Sequence, residues 1–182
     1  MTFFFTKTRR DKHQNRGFSL VETIVYIVIL LLVLVVVVNA LALLTRSFRT
    51  IQSTQTIEST AQIAMERMTR DIRDALSINV TQSTLGTSPG QLTINTQDEA
   101  GTATTIKFFL SGQAIRIAVS DTDIGPLSNA SARVTNLVFR SISSTQSNAV
   151  KIEMTVESGQ GASYKVKNFY STVVMRGSYP VQ

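Results

Sequence analysis

The sequence predicts an α+β protein in which a long N-terminal helix packs on a C-terminal antiparallel β-sheet. Three features predict this fold class. The chain is almost entirely apolar from Leu20 to Val38, it then continues to Leu76 without a glycine or proline, and beyond Leu76 it changes to short segments rich in threonine, valine and isoleucine. A long uninterrupted helical pattern followed by alternating segments is typical of α+β domains.

The apolar run has the length of a membrane-spanning helix. Its polar side chains are Glu22, Thr23 and Tyr26, and about 20 predominantly apolar residues suffice to cross a bilayer. Cleavage behind the span, as in an ordinary secretory signal, is the less favoured interpretation, because the small residues there give only a weak site. These residues are Ala40, Ala42 and Ser47.

Positive charge precedes the span and predicts its orientation. The acid there is Asp11, and it is outnumbered by five basic residues: Lys7, Arg9, Arg10, Lys12 and Arg16. Because basic flanks stay in the cytoplasm, we expect the N-terminus inside and the C-terminal domain outside, in the periplasm or the extracellular space.

The chain enters the span through a distinctive segment. It reads Arg16-Gly17-Phe18-Ser19-Leu20-Val21-Glu22. The basic leader, the glycine, the aromatic residue and the glutamate resemble the processing site of type IV pilins and type II secretion pseudopilins. The resemblance implies a type IV pilin-like fold.

The resemblance also implies a processing reaction. A prepilin peptidase, which also acts as the methyltransferase, would cut between Gly17 and Phe18 and would then N-methylate Phe18, with S-adenosylmethionine as the methyl donor. Glycine before the cut suits a narrow protease cleft because it carries no side chain. The expected site residues are therefore Gly17 and Phe18 for cleavage and Phe18 for methylation.

Glu22 is the expected assembly residue. It lies one helical turn after Phe18, and a carboxylate inside a membrane costs roughly 2.5 kcal/mol or more. The resemblance implies that its partner is the N-terminal ammonium group on Phe18 of a neighbouring subunit. Taken without that context, Glu22 could equally extend to the cytoplasmic interface or stay protonated.

Four segments follow from these patterns. We expect a cleaved cytoplasmic leader at 1–17, a transmembrane and assembly helix at 18–44, an exported continuation of the helix at 45–77 and an antiparallel β-sheet domain at 78–182. Asn39, at the outer end of the span, either pairs between helices or is hydrated.

The exported part of the helix is amphipathic. Its apolar side chains recur at three- and four-residue steps and predict the face that packs on the sheet: Ala61, Ala64, Met65, Met68, Ile72, Ala75 and Leu76. On the opposite face, Glu66–Arg70 and Arg70–Asp74 have the spacing of helical ion pairs.

Six strands are predicted, with Ser111-Gly112 and Ser158-Gly159-Gln160-Gly161 as hairpin turns. The first clear loop is Gly86-Thr87-Ser88-Pro89-Gly90. The predicted strands run over 91–96, 104–110, 113–119, 133–141, 149–157 and 164–175.

Composition narrows the function. The chain has no cysteine, so a disulfide cannot stabilise the exported domain, and its net charge of +6 falls to +2 when the leader is removed. The remaining basic clusters are interleaved with acids or strand residues, whereas nucleic-acid binding usually needs a concentrated basic face. A nucleic-acid interface is therefore not expected.

The sequence predicts no catalytic residues, no cofactor and no metal site. The single histidine, His13, lies in the leader, and the serines and threonines lack a plausible base. Asp121, Asp123 and Gly125 resemble part of a calcium loop, but two carboxylates fall short of the six to eight oxygen ligands that calcium takes. A turn rich in aspartate is the favoured interpretation.

A second resemblance concerns the subtype. The segments 64–75 and 170–177 are similar to those of J-type minor pseudopilins and PilW-like minor pilins. The predicted function is a minor subunit of a type IV pilus or type II secretion-like filament. Its expected partners are the prepilin peptidase, other pilin or pseudopilin subunits, an inner-membrane assembly platform and, before assembly, membrane lipid.

Two alternatives remain at this point. The first is a single-pass, membrane-anchored binding or adhesion module that never polymerises. The second is a pilin subunit whose loops bind DNA.

Overall fold

The structure, a computed structural model, describes residues 19–98, 100–144 and 147–176. The chain divides into two compact units, Met1–Leu44 and Thr45–Gln182. The elements, in chain order, are α1 (Leu20–Asp74), β1 (Ser77–Ile78), β2 (Gln91–Gln97), β3 (Ala103–Ser111), β4 (Ala114–Val119), β5 (Thr122–Pro126), β6 (Arg133–Ser143), β7 (Asn148–Ser158), a 3-10 helix (Gly161–Ser163) and β8 (Lys165–Val174).

The first unit contains the apolar part of α1. From Ser19 to Leu44 every side chain is exposed. In the part of the chain that the structure describes, α1 is the one helix long and apolar enough to cross a membrane, with a mean hydropathy of 3.4 over its most apolar window. This unit therefore buries none of its leucine and valine side chains by itself.

In the second unit, the later turns of α1 supply one wall of a hydrophobic core. The face predicted from the three- and four-residue spacing is buried at most positions and also extends back to Ile57. Two predicted members differ, because Met65 is only partly buried and Leu76, which lies beyond the helix, is 43% exposed. The buried apolar side chains of this wall are Ile57, Ala61, Ala64, Met68 and Ile72.

The helix ends at Asp74, three residues before the end of the predicted helical segment at residue 77. The backbone amide of Leu76 donates to the carbonyl oxygen of Asn95 in β2 at 2.9 Å instead of to a helical carbonyl. Strand pairing thus competes with the last helical turn, and β1 then pairs antiparallel with β2. The sequence pattern of the helix does not reveal this pairing with β2, because β2 lies further along the chain.

The strands form two antiparallel sheets, which confirms the α+β prediction and refines it. One sheet has the order β1-β2-β3-β4-β5, and the other has the order β6-β7-β8. The predicted loop before β2 connects them, since the amides of Gly86 and Gly90 donate to the carbonyl oxygens of Phe139 and Leu137 in β6, each at 2.8 Å. A Cβ atom at Gly90 would lie 2.6 Å from the Leu137 oxygen, so this approach requires glycine.

Strand ends and turns follow the sequence closely, with two omissions. Gly112 and Gln113 both have positive φ in the two-residue turn between β3 and β4, as a type I′ hairpin requires. The predicted strands missed the two-residue β1 and the edge strand β5. The segment of β5 contains Gly125 and Pro126, residues that a pattern reading assigns to turns but that edge strands tolerate.

Both sheets and α1 enclose one core. The largest fully buried side chains come from α1, β2, β3, β4, β6 and β7 and from Met175 directly after β8, and they belong to one contiguous cluster. No disulfide contributes, because the sequence lacks cysteine. Apolar packing of the helix on the sheets is therefore the main stabilising term of the second unit.

Candidate assembly site

The site predicted from the N-terminal motif is described from Ser19 onward. Gly17 and Phe18, the expected cleavage and methylation residues, lie outside the described residues. Helical hydrogen bonding begins at once after them, because the amide of Thr23 donates to the Ser19 carbonyl oxygen at 3.1 Å. Glu22 therefore sits in the first turn of α1.

Two local features accommodate the polar side chain of Glu22. The unsatisfied amides at a helix N-terminus carry a partial positive charge that stabilises an anion in the first turn. The side chain also has a hydrogen-bond donor one turn later, since the Tyr26 hydroxyl donates to Glu22 Oε1 at 3.2 Å. Both effects partly compensate the polar group on an otherwise apolar helix surface.

Tyr26 is a residue that the sequence analysis did not assign to the site. It was counted only as a polar interruption of the span, although its spacing of four from Glu22 places the two side chains on one helix face. The tyrosine is 55% exposed, so its ring lies on the outer surface of the helix beside the carboxylate. The pair Glu22–Tyr26 forms a polar spot at the start of the apolar surface.

The two aspartates at the start of β5 form ion pairs with basic side chains of the protein itself. Lys107 Nζ lies 2.6 Å from Asp121 Oδ1, and Arg116 Nε lies 2.7 Å from Asp123 Oδ2. Ser120 and Asp121 both have positive φ and form the two-residue turn between β4 and β5. Among the described residues, no group of three or more acidic or histidine side chains could hold a metal ion.

The same contacts set the ionisation of Asp123. The hydrogen bond from Arg116 holds the pKa of this carboxyl below its ordinary value. The amide of Gly125 also donates to Asp123 Oδ1, at 3.0 Å. This arrangement agrees with the turn interpretation: Asp123 bonds to the backbone at Gly125 and to Arg116 of β4, and Asp121 pairs with Lys107 of β3.

Acidic side chains also pair with cations along the second sheet. Glu153 lies 2.9 Å from Lys151 Nζ and 3.1 Å from Arg140 Nε, and hydrogen bonds from these two residues lower the pKa of its carboxyl. Glu157 accepts a hydrogen bond from the Tyr164 hydroxyl, which raises the pKa of that phenol.

On α1 the observed ion pairs differ from the predicted ones. The structure pairs Arg67 Nε with Asp71 Oδ2 at 2.7 Å and places Arg70 3.9 Å from Asp71. The Asp71 side chain is only 9% exposed. Because water solvates this carboxylate poorly, a close cation stabilises it more than it would an exposed acid. In the described part of the chain, the predicted pairs Glu66–Arg70 and Arg70–Asp74 do not form.

Comparison with known proteins gives one finding for this site. Residues 12–38 match a family model described as the prokaryotic N-terminal methylation motif. This region contains the predicted cleavage residues, Glu22, Tyr26 and most of the apolar run. A search of curated proteins and a search of solved structures each found no match.

The matched motif supports a subunit of the type IV pilin or pseudopilin class. It implies processing by a prepilin peptidase and assembly with other pilin subunits. The motif and the apolar helix together indicate a single-pass membrane anchor, and the α+β architecture is consistent with the type IV pilin fold.

Proposed function

We propose that this chain is a structural subunit, a minor pilin or pseudopilin, of a type IV pilus or type II secretion-like filament. It is processed between Gly17 and Phe18, methylated on Phe18 and assembled through its N-terminal helix and Glu22. The match to the N-terminal methylation motif, which includes the fully exposed apolar run from Leu20 to Val38, carries the proposal.

The exposed helix surface explains why such a chain needs two environments. Large apolar side chains along the span, such as Leu30 and Leu32, keep more than 60% of their surface accessible. Each buried CH₂ group contributes about 0.8 kcal/mol, so this surface is stable only in lipid or against other helices. In the membrane lipid covers it, and in the filament neighbouring helices replace the lipid.

Glu22 fixes the alignment of each subunit with its neighbour when helices replace lipid. Lipid offers no cation to the carboxylate, whereas a neighbouring subunit in a filament offers the ammonium group on methylated Phe18. A charge-assisted hydrogen bond in a low-dielectric surrounding is roughly twice as strong as a neutral one. The Tyr26 hydroxyl holds the carboxylate on one helix face while it awaits that partner.

The topology and the partners follow from the same proposal. The basic leader stays in the cytoplasm and the domain after residue 44 lies outside, until an inner-membrane platform drives the subunit into the filament or its tip. The proposed role is structural, and Asp121, Asp123, Glu153 and Glu157 of the second unit lie in ion pairs that connect strands and turns.

Substitution of Glu22 tests the proposal. We expect Glu22→Ala and Glu22→Gln to be processed normally but to enter filaments at least tenfold less than the wild type, because a charged hydrogen bond contributes about 1.5–3 kcal/mol. The measurement is the amount of processed subunit in sheared filaments relative to the membrane fraction. Glu66→Ala, at an exposed acid of the same helix, is the matched control.

The alternative, a membrane-anchored module that never polymerises, gives a different result. The wild-type protein would then keep residues 1–17 and stay in the membrane fraction. Wild-type incorporation of Glu22→Ala would contradict the assigned role of Glu22 even in a processed subunit.

A further inference from the structure

Two arginines directly follow the apolar run. Arg46 is the second residue after Leu44, and Arg49 lies three residues further on the same helix face. Eight other basic side chains of the exported unit lie in ion pairs: Arg67, Arg70, Lys107, Arg116, Arg133, Arg140, Lys151 and Lys167. Within the described ranges, Arg46 and Arg49 have no such partner.

The connection between β7 and β8 lies against these arginines. The connection and this part of α1 line a cavity of about 220 Å³. The connection is seated closely on the helix at Gly159, where a Cβ atom would lie 2.6 Å from Ser53 Oγ and 2.3 Å from the Ser163 oxygen. The lining residues are Arg46, Arg49, Thr50, Gln160, Ala162 and Ser163.

The lining carries donors and no carboxylate. The hydroxyl of Thr50 donates to the Arg46 carbonyl oxygen at 3.1 Å, and that of Ser163 donates to the Gln160 carbonyl oxygen at 2.9 Å. The Gln160 side chain accepts a hydrogen bond from the Ser163 backbone amide, so the groups that can bind a ligand are the two guanidinium groups and the side-chain NH₂ of Gln160. Guanidinium groups match phosphate oxygens in two-pronged contacts, so the cavity suits a phosphate group.

The position along the chain identifies the source of that phosphate. At about 1.5 Å per residue, the helical rise from Leu20 to Arg46 is about 39 Å. The hydrocarbon core of a bilayer is about 30 Å thick, and about 40–45 Å with its headgroup regions. A span that begins near Leu20 thus brings Arg46 to the level of the headgroups on the far side.

We propose that Arg46, Arg49 and the β7–β8 connection bind the phosphate headgroup of an anionic membrane phospholipid. This inference rests on the membrane anchoring in the proposed function. Bound lipid holds the exported unit at the bilayer surface before assembly, and the contact breaks when the subunit is extracted.

Lipid selectivity in a bilayer tests the proposal with the full chain. The protein is reconstituted in phosphatidylcholine vesicles, and spin-labelled phosphatidylglycerol is compared with spin-labelled phosphatidylcholine for its motionally restricted fraction. We expect the wild type to prefer phosphatidylglycerol about fivefold or more, since each basic residue near an anionic surface contributes about that factor. The double variant Arg46→Gln/Arg49→Gln should lower the preference several-fold, and the part that remains is due to the basic leader, which all variants share.

Two further variants separate the site from general charge. Arg73→Gln removes another arginine of α1 that has no ion pair among the described residues, and it should leave the preference unchanged. Gln160→Ala, in the β7–β8 connection, should lower it. An equal loss in Arg73→Gln, or no change in Gln160→Ala, would show a diffuse charge effect and overturn the site.

The outcomes also distinguish this inference from the proposed function. An inserted wild-type protein without lipid preference overturns the headgroup site and leaves filament assembly intact, with the arginines free to meet acids of a neighbouring subunit. A protein that fails to insert overturns the membrane anchor and, with it, both proposals.

Discussion

At the scale of single residues, the polar spot formed by Glu22 and Tyr26 shows how the motif places a carboxylate on an apolar helix. A carboxylate on an apolar helix is unfavourable unless its environment supplies donors. The structure supplies one, the Tyr26 hydroxyl, which donates to Glu22 Oε1 at 3.2 Å, and the partial positive charge of the helix N-terminus adds to it. Both are present in the single chain, so they offset part of this cost without the neighbouring subunit of the proposed function.

Tyr26→Phe tests the contribution of this hydroxyl to the position of Glu22. We expect normal processing and a several-fold decrease in filament incorporation, smaller than that of Glu22→Ala, because a single hydrogen bond contributes about 0.5–1.5 kcal/mol. The measurement is again the processed subunit in sheared filaments. Incorporation equal to the wild type would show that Tyr26 does not position the carboxylate.

The sequence predicted Glu22 as a site residue but gave no role to Tyr26, for a physical reason. A spacing of four permits contact between two helical side chains, yet many such pairs never bond. For the same reason, spacing alone did not identify the ion pair that forms on the charged face of α1. Asp71, rather than Glu66 or Asp74, takes the close arginine because it is nearly buried, and burial is set by the sheets and not by spacing.

At the scale of elements, the buried face of α1 is the main contact between helix and sheets. Ile72 is fully buried, whereas Ile63, on the same helix, is 58% exposed. The two positions carry the same residue and differ only in what surrounds them. They therefore form a matched pair for measuring what this packing contributes.

Ile72→Ala should lower the free energy of unfolding by about 2–5 kcal/mol, because it leaves a cavity in the core. Ile63→Ala should change it by less than about 0.5 kcal/mol, as is usual for exposed positions. Thermal or denaturant unfolding of the full chain in detergent, followed by circular dichroism, measures both. Equal effects would mean that the helix does not pack on the sheets as described.

The ion pairs of the second sheet predict a pH dependence. Lys151 and Arg140 lower the pKa of Glu153 in the folded chain, so the folded state favours the ionised form. The stabilisation is therefore present above the ordinary glutamate value of about 4.3 and is lost as the pH falls through the lowered folded pKa.

Glu153→Gln should accordingly unfold at a lower temperature than the wild type at pH 7, and the two midpoints should converge as the pH falls below the lowered folded pKa of Glu153. Glu66→Gln serves as the control, since Glu66 has no ion pair in the described part of the chain. A difference that persists unchanged in acid would show that Glu153 acts through packing and not through charge.

The sequence predicted most elements because their local patterns agree with the final packing. The six predicted strands correspond to β2, β3, β4, β6, β7 and β8, where β-branched residues alternate with polar ones. It missed β1 and β5, which are short, and it did not divide the strands into two sheets. These features depend on long-range hydrogen bonds, such as that from Gly90 to Leu137, which leave no periodic signal.

At the scale of the whole molecule, one chain combines an exposed apolar helix segment with a second unit that has its own core. In the second unit the apolar face of α1 is buried on two sheets, while the apolar segment requires lipid or other helices to cover it. The match to the N-terminal methylation motif supports a pilin-type subunit, and in the proposed function the covering helices are those of neighbouring subunits. The sequence predicted this division because hydropathy and the motif are both local.

The most direct test of this account is the intact mass and the N-terminal peptide of the protein recovered from sheared filaments and from membranes of producing cells. The account predicts a chain that starts at Phe18, carries one N-methyl group and is present in the filament fraction. A chain that starts at Met1, or beyond the span at residue 45 or later, and is absent from filaments would contradict it.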